Sequence, residues 1–436
     1  MKPNLTTEAT ITGLSHEGRG ICKIDEKTTF VFGGLPDETV VLTYRKKRNK
    51  FDEATVTEVL KQSDLRVKPP CEFFGLCGGC SLQHMQHNYQ LEHKQKTLLE
   101  LLQHQANTQP EEILTPLTAL QLGYRRKARL SVNYVPKKEK VMVGFRERRG
   151  RYVADMNSCK VLHPNIGEKI SAFSTLFYNL ENKPEIKQLE VAITDTVTAV
   201  IIRHMKPFCD SDLKQLEIFA EQHQLHIYLQ PKGVDSIHLF YPKQTYDKLN
   251  YKLPEFELIM EFHPAQFTQV NQEINEKMLS QAVNLLDLQP TDKVLDLFCG
   301  IGNFTLPCAK TAAKVIGFEG AGDAVKQARQ NAEINNIDNC EFFTEDLFNE
   351  TDYHPVLTQK FDKVILDPPR SGAQEVLKLL PKWQAERIVY VSCNPATFAR
   401  DAKAITEQGY KLMKAGIIDM FPHTQHVEVM ALFQKS

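Results

Sequence analysis

The sequence predicts a multidomain protein with a small N-terminal β-barrel, a central α+β domain and a C-terminal doubly wound α/β domain. The first 62 residues carry short strand patterns, residues 120–260 are rich in strands, and strands alternate with helices from about residue 263. The chain has 436 residues, 42% hydrophobic and 25% charged, which is ordinary for a globular protein of two or three domains. We predict domains at residues 1–66, 67–262 and 263–436.

The N-terminal part combines a barrel pattern with excess positive charge. Five alternating segments are separated by turn sequences such as SHEGRG and GGLPDE, a spacing typical of a small barrel. Residues 1–160 hold 26 Lys and Arg against 18 Asp and Glu, whereas the remainder holds 27 against 36. Three basic runs contribute: RKKRNK (45–50), YRRKAR (124–129) and RERRGR (146–151). The surplus predicts a polyanion-binding surface, although a run such as 45–50 could also be a solvated hairpin tip.

The sequence of the central part predicts a cysteine-bearing loop at 67–90 and a helix at 88–105, followed by strands.

The chain contains no run of 18 apolar residues, and its first residues lack the apolar stretch of a secretory signal. We therefore expect a cytoplasmic location. In that reducing compartment, clustered cysteines are more often metal ligands or catalytic groups than disulfides.

The C-terminal part begins with a nucleotide-binding pattern. VLDLFCGIGNFTLP (294–307) predicts a strand, a glycine-rich turn containing Gly300 and Gly302, and a helix. The third glycine of a dinucleotide fingerprint is absent, because position 305 is Thr. Glu319 and Asp346 end the next two strands, where they could contact ribose hydroxyls and an adenine amino group. These acids at successive strand ends are typical of S-adenosylmethionine methyltransferases, with another α/β nucleotide binder as the alternative.

The segment ILDPPRSG (365–372) follows the fourth strand of this domain. An acid followed by two prolines faces the substrate in enzymes that methylate bases, because the stiff loop aims the carboxylate of Asp367. The alternative interpretation is a surface turn that caps a helix.

Cys393, in YVSCNPATFARD, follows the fifth strand, so we expect it in the crevice where α/β sheets bind ligands. A thiolate there could add to C6 of a pyrimidine, which makes C5 nucleophilic enough to accept a methyl group. A base must then remove the C5 proton. Glu428 lies in the β-rich sequence FPHTQHVEVMALF, and burying a carboxylate is unfavourable unless it is compensated, so we interpret it as that base. The alternatives are a buried thiol and a strand-edge charge.

The sequences DLFCGIGNFTLP, FTQVN, SCNPATFARD and FPHTQHVEVM resemble the RNA uracil-C5 methyltransferase family. The resemblance implies that Cys393 is the nucleophile and Glu428 the general base. It implies that Asp367 contacts the uracil and that Phe267 stacks on a base. The positions that it assigns to S-adenosylmethionine are Gln269, Phe298, Asn303, Glu319, Asp346 and Asp367.

Four cysteines have the spacing of a metal site. Cys71, Cys77 and Cys80 lie in CEFFGLCGGC, and Cys159 lies 79 residues further on. Four thiolates fit zinc or an iron–sulfur cluster, and the absence of a second paired knuckle favours a [4Fe–4S] cluster over zinc. The resemblance also implies such a cluster, because one branch of the family carries it at these four positions.

SHEGRGICKID and GGLPDETV resemble the TRAM domain, an OB-like RNA-binding barrel. Barrel, cluster and Rossmann-like methyltransferase domain together resemble the family branch that acts on uracil 1939 of 23S ribosomal RNA. We therefore expect a monomer that binds 23S ribosomal RNA, S-adenosylmethionine and a [4Fe–4S] cluster, and no membrane. The alternatives are another ribosomal or transfer RNA uridine, a cytosine-C5 methyltransferase and a non-catalytic RNA-binding assembly factor.

Overall fold

The computed structural model describes residues 6–244, 248–349 and 353–436. The chain forms two compact units. The first unit comprises Met1–Thr97, Arg146–Ala154 and Phe421–Gln425, and the second comprises Leu98–Phe145, Asp155–Met420 and His426–Ser436. Each unit is therefore assembled from segments that are distant in sequence, and the three domain ranges expected from the sequence remain predictions.

The first unit begins with a curled, barrel-like sheet of six strands in the order β1-β5-β6-β4-β3-β2. Alternating small apolar residues form its core, including Val31, Val40 and Leu42. The sheet has six strands instead of the five expected because Ile11 interrupts the first one, donating its N–H to Glu38 O at 2.9 Å. The strands are β1 (Thr6–Thr10), β2 (Gly13–Leu14), β3 (Gly20–Ile24), β4 (Lys27–Phe32), β5 (Thr39–Lys47) and β6 (Asp52–Lys61).

The predicted helix at 88–105 is present, but its last turns change form. Helix α1 (His87–Leu101) continues into a π-helical segment, Leu102–Ala106, which ends at Asn107 in the left-handed region at φ 49°. Asn tolerates this conformation better than most residues, so it ends the helix at little cost.

The second unit contains two large sheets. The central sheet has the order β13-β12-β11-β10-β8-β9, and the other has the order β18-β17-β16-β19-β20-β22-β21-β7. The strands of the central part are β7 (Glu112–Ile113), β8 (Lys127–Val135), β9 (Lys140–Gly144), β10 (Ile186–Ile193), β11 (Thr198–His204), β12 (Leu225–Gln230) and β13 (His238–Tyr241). Its helices are α2 (Pro164–Gly167), α3 (Ile170–Asn179) and α4 (Asp210–His223). A hairpin, β14 (Asn250–Leu253) and β15 (Leu258–Glu261), precedes the eight-stranded sheet in sequence.

The eight-stranded sheet confirms the predicted alternation of strands and helices. Its strands are β16 (Lys293–Leu297), β17 (Lys314–Glu319), β18 (Cys340–Thr344), β19 (Lys363–Leu366), β20 (Arg387–Ser392), β21 (Tyr410–Ile418) and β22 (Glu428–Lys435), besides β7. Its helices are α5 (Gln272–Leu286), α6 (Thr305–Ala309), α7 (Gly322–Ile334), α8 (Leu380–Trp383) and α9 (Pro395–Glu407). Strands β16 to β20 are parallel, whereas β22 is antiparallel to both β20 and β21. The last strand therefore brings its N-terminal residue to the edge where the parallel strands end. None of the described helices has the length and apolar character that crossing a membrane requires.

Candidate active site

The carboxyl ends of five parallel strands carry the polar residues singled out from the sequence. Leu297 pairs with Phe318 on one side and with Leu366 on the other. The next residues along these strands, Phe298, Glu319 and Asp367, therefore lie in a row at one edge of the sheet. Ligands of open α/β sheets bind at this edge.

The glycine-rich turn after β16 is fixed by the carboxylate of Glu319. Its Oε2 accepts the N–H of Gly300 at 3.1 Å, and its Oε1 accepts the N–H of Ala321 at 2.9 Å. Phe298 and Gly300 adopt φ values of 65° and 55°, and a side chain added at Gly300 would meet no atom within 4 Å. The turn therefore leaves open space beside Glu319, where a ligand's hydroxyl groups could reach the carboxylate.

Asp296 lies behind this turn and is completely buried. Its Oδ2 accepts the hydroxyl of Thr305 at 2.5 Å, whereas its Oδ1 has no hydrogen-bond partner among the described residues. Burial raises the pKa of Asp296 to about 8. A buried oxygen without a partner is unfavourable, so this site fits a bound polar ligand such as S-adenosylmethionine.

Asn303 is held by two side chains that sequence analysis missed. Its Oδ1 accepts the hydroxyl of Tyr251 at 2.8 Å, and its Nδ2 donates to Asn275 Oδ1 at 2.8 Å. Gln269 lines a small cavity together with Tyr251 and Asn275. The network connects the glycine-rich turn to the β14–β15 hairpin and α5, whose sequences carry no recognisable motif for this contact.

The remaining predicted ligand-binding positions are more open. Asp346 is exposed, and its Oδ1 accepts the N–H of Phe348 at 3.0 Å. The rings of Phe298 and Phe348 lie 5.7 Å apart. Phe267 exposes 73% of its surface, so its ring is accessible for stacking.

The loop that carries Asp367 is tied to the start of α9. Asn394 caps that helix by accepting the N–H of Ala396 at 3.1 Å, and its Nδ2 donates to the carbonyl of Arg370 at 3.1 Å. Thr397 Oγ1 donates to the same carbonyl at 3.2 Å. The sequence Asn-Pro after Cys393 thus starts the helix and also positions the Asp-Pro-Pro-Arg loop.

Strand pairing brings Cys393 and Glu428 together. Ser392 on β20 pairs with Val429 on the antiparallel strand β22, so the next residues in register are Cys393 and Glu428. Glu428 is 7% exposed, and Cys393 is half-buried. A thiol and a carboxylate at one end of paired strands can act on two neighbouring atoms of one bound ring.

The electrostatics of this pair keep the thiol protonated. The pKa of Cys393 is raised to about 11, mainly by burial and also by the carboxylates of Glu428 and Asp367, whereas Arg370 opposes these effects. Burial also raises the pKa of Asp367 to about 7, so both of its protonation states exist at neutral pH. Asp367 can therefore accept a hydrogen bond or donate one. Sequence analysis missed Arg370, although it directly follows the Asp-Pro-Pro motif.

We expect Arg370→Ala to slow alkylation of Cys393. The positive charge favours the thiolate, so its loss raises the pKa of a thiol that is already mostly protonated below pH 11. Arg370 is exposed, so solvent weakens the effect of its charge on the thiol. The rate of iodoacetamide labelling at pH 8 should therefore fall about threefold, and this decrease should be smaller at high salt. Mass spectrometry of the Cys393 peptide gives this rate, with Lys382→Ala as the matched control. An equal rate in both variants would contradict the electrostatic role of Arg370.

The four cysteines predicted to bind a metal are divided between the two units. Cys77 and Cys80 are buried, Cys71 is half-buried, and the N–H of Gly79 donates to Cys77 Sγ at 3.3 Å. Cys159 is a buried residue of the second unit. Within the described ranges, no three His, Cys, Asp or Glu side chains are arranged as ligands of a metal ion.

The fold is that of an α/β methyltransferase. The chain resembles the Pyrococcus abyssi tRNA (uracil-54, C5)-methyltransferase solved in complex with S-adenosyl-L-homocysteine, with a TM-score of 0.74. The two sequences are 24% identical, and the match covers 98% of this chain and 100% of the other. The chain belongs to the tRNA (uracil-5-)-methyltransferase family, which matches residues 86–436.

Two relatives match over almost the whole chain. One is the 23S rRNA (uracil(1939)-C(5))-methyltransferase RlmD of Hahella chejuensis, 48% identical, with 100% of this chain and 98% of the relative covered. The other carries the same name in Francisella tularensis subsp. novicida and is 50% identical, with 98% and 96% covered. The family predicted from the sequence is confirmed.

Proposed function

We propose that this protein transfers a methyl group from S-adenosylmethionine to C5 of uracil 1939 in 23S ribosomal RNA. The observation that carries the proposal is the cross-strand placement of Cys393 and Glu428 beside Asp367. The relatives that bear this activity in their names are 48% and 50% identical over nearly the full chain, which supports the choice of target.

The residues at the strand ends fit S-adenosylmethionine. In this proposal Glu319 contacts the ribose and Asp346 the adenine, and the ring of Phe298, which lies 5.7 Å from that of Phe348, contributes a further contact. Gln269 and Asn303 complete the proposed set. When bound, S-adenosylmethionine supplies an electrophilic methyl group.

The chain's own residues then act on the uracil. The Cys393 thiol loses its proton to solvent, and Sγ bonds to C6 of the ring while electrons of the C5–C6 double bond move to form an enolate. Asp367 holds the ring by hydrogen bonding, which its pKa of about 7 permits in either protonation state. After C5 is methylated, Glu428 takes the C5 proton, the double bond re-forms and Sγ leaves C6. The target uridine must be flipped out of any helix for these contacts.

A cluster of arginines supports RNA binding by the first unit, and we propose that residues 1–66 of this unit form a TRAM domain of the OB type. Arg45 Nε and Arg149 Nη1 both donate to Thr55 Oγ1, at 3.3 and 3.0 Å. Arg19 lies 4.9 Å from the centre of the Phe30 ring. Burial lowers the pKa of Arg149 most, Arg45 and Arg19 lower it further, and Glu53 opposes them. Like charges held together in this way are relieved by a phosphate group, so we propose that RNA phosphates bind here.

The target is tested by mapping methylated uridines. Cells without this protein should lack 5-methyluridine at position 1939 of 23S ribosomal RNA and regain it when the gene is returned. In vitro, ribosomal RNA carrying 5-tritiated uridine should release tritium, and a transcript with cytosine at this position should release none from it. Methylation of the cytosine transcript, or RNA binding without any tritium release, would favour a cytosine enzyme or an assembly factor respectively.

We also propose that Cys71, Cys77, Cys80 and Cys159 bind a [4Fe–4S] cluster. The thiol donor set and the Gly79 N–H donated to Cys77 Sγ fit the sulfur-rich, anionic group. Protein purified without oxygen should contain about four iron and four sulfide ions per chain, whereas zinc without sulfide would contradict the proposal. Cys340→Ala, which changes a cysteine outside this set, should leave the iron content unchanged.

Two further proposals concern the state of the protein in the cell. We propose that it is a cytoplasmic monomer, in keeping with a ribosomal RNA substrate. Light scattering of the purified chain measures its mass directly, with 49.8 kDa expected for one copy.

A further inference from the structure

The loop at residues 146–151 places one arginine beside the cysteines of the first unit. The N–H of Arg148 donates to Leu76 O at 2.9 Å, and its Nη2 donates to the carbonyl of Cys80. The N–H of Gly78 donates to Arg146 O at 2.9 Å. A side chain at Gly78 would be crowded, because its Cβ would lie 3.0 Å from Arg146 O and 3.1 Å from Arg148 Cα. The two loops are thus closely packed, although 68 residues separate Cys80 from Arg148.

Aromatic rings hold the guanidinium in place. Its central carbon lies 3.7 Å from the centre of the Phe32 ring and 5.2 Å from that of Phe74. Phe32 ends strand β4 of the barrel-like sheet, and Phe74 lies between Cys71 and Cys77. Contact with two ring faces restricts the side chain without using its N–H donors.

One donor of this guanidinium lacks a partner. Nη1 is buried and makes no hydrogen bond to any described residue. Leaving a buried charged donor unsatisfied is unfavourable, so the site is suited to an acceptor that the polypeptide does not supply. The Nη2 of the same guanidinium donates to the carbonyl of Cys80, and the backbone N–H of Arg148 donates to the carbonyl of Leu76, next to Cys77, so the vacant donor lies beside the cysteine loop.

We propose that Arg148 is a positioning residue for the iron–sulfur cluster, donating its Nη1 hydrogen bond to a cluster sulfide or to a coordinating thiolate. The inference rests on the proposed cluster and assigns a residue to it outside the four cysteines. A cation that donates to sulfur stabilises the reduced, more negative cluster and raises its reduction potential. Through Phe32, the same side chain connects the cluster loop to the sheet that carries the arginine cluster.

The test compares Arg148→Gln with Arg151→Gln in the full chain, purified without oxygen. Arg151 is an exposed residue of the same loop, so both variants lose one positive charge. Removing one charge-assisted hydrogen bond should change the ratio of reduced to oxidised cluster about tenfold at a fixed potential, equivalent to about 60 mV for one electron. We expect this negative shift in the midpoint potential, titrated with dithionite, for Arg148→Gln only. Equal potentials in the two variants overturn the inference.

A second measurement uses the unmodified protein, so its result does not depend on whether a variant folds. With arginine labelled by nitrogen-15 in its guanidinium, pulsed electron paramagnetic resonance of the reduced cluster should detect a coupled nitrogen. Absence of that coupling overturns the role of Arg148 while leaving the cluster in place. Zinc without iron and sulfide overturns the proposed cluster as well, so the two failures are distinguishable.

Discussion

Replacing Cys393 by alanine is expected to abolish methyl transfer while S-adenosylmethionine still binds. Without a nucleophile at C6, C5 of uracil remains too electron-poor to accept the methyl group, so kcat should fall by about 10⁴-fold or more. Tritium release from 5-tritiated uridine RNA measures the reaction, and calorimetry measures cofactor binding. Because none of the proposed cofactor positions lies on β20, the strand that precedes Cys393, binding should be little affected.

The matched control for this experiment is Cys209→Ala, which changes an exposed cysteine next to α4. It should retain the activity of the unmodified protein. Undiminished methylation by the Cys393 variant would show that the reaction does not pass through a thiolate adduct.

Glu428→Gln is expected to accumulate a covalent complex with RNA. Glutamine is similar in size but cannot take the C5 proton, so the methylated adduct cannot release Cys393. The Glu428 carboxylate raises the pKa of Cys393, and its loss should make the thiol easier to ionise, favouring adduct formation. The complex should migrate as a shifted band on a denaturing gel, with turnover reduced by about 10²-fold or more.

The double variant Cys393→Ala with Glu428→Gln tests the identity of that band. It should form no shifted species, because the bond to RNA needs the thiol. A variant Glu428→Gln that turns over normally without a band would assign proton removal to another group.

The fold was predictable where strands and helices alternate regularly. Alternating strands and helices after residue 263 identified the parallel sheet because a parallel strand pair needs a helical crossover. The antiparallel position of β22 could not be read from the pattern, since an apolar strand has the same sequence in either orientation. The π-helical end of α1 was also missed, because periodicity does not separate it from the preceding helix.

The site was predictable where each residue follows its own strand. Cys393, Asp367 and Glu319 could be placed this way because parallel strands end at a common edge. Contacts between distant loops left no local signal. Tyr251 reaches Asn303 across 52 residues, and Arg148 reaches Cys80 across 68, so their roles depend on packing that no short motif records.

The first unit includes Phe421–Gln425, a stretch that immediately precedes β22. Within that unit, Ser81 and Leu82 both donate their N–H groups to the carbonyl of His423 at 2.9 Å, and Gln90 Oε1 accepts the N–H of His423 at 3.1 Å. A truncated protein that starts at Leu98 would retain this stretch but lose all three partners. Glu428, the proposed base, lies only three residues beyond Gln425, so removing the N-terminal segment would leave the chain just before it without these hydrogen bonds. No single cut can release either unit complete.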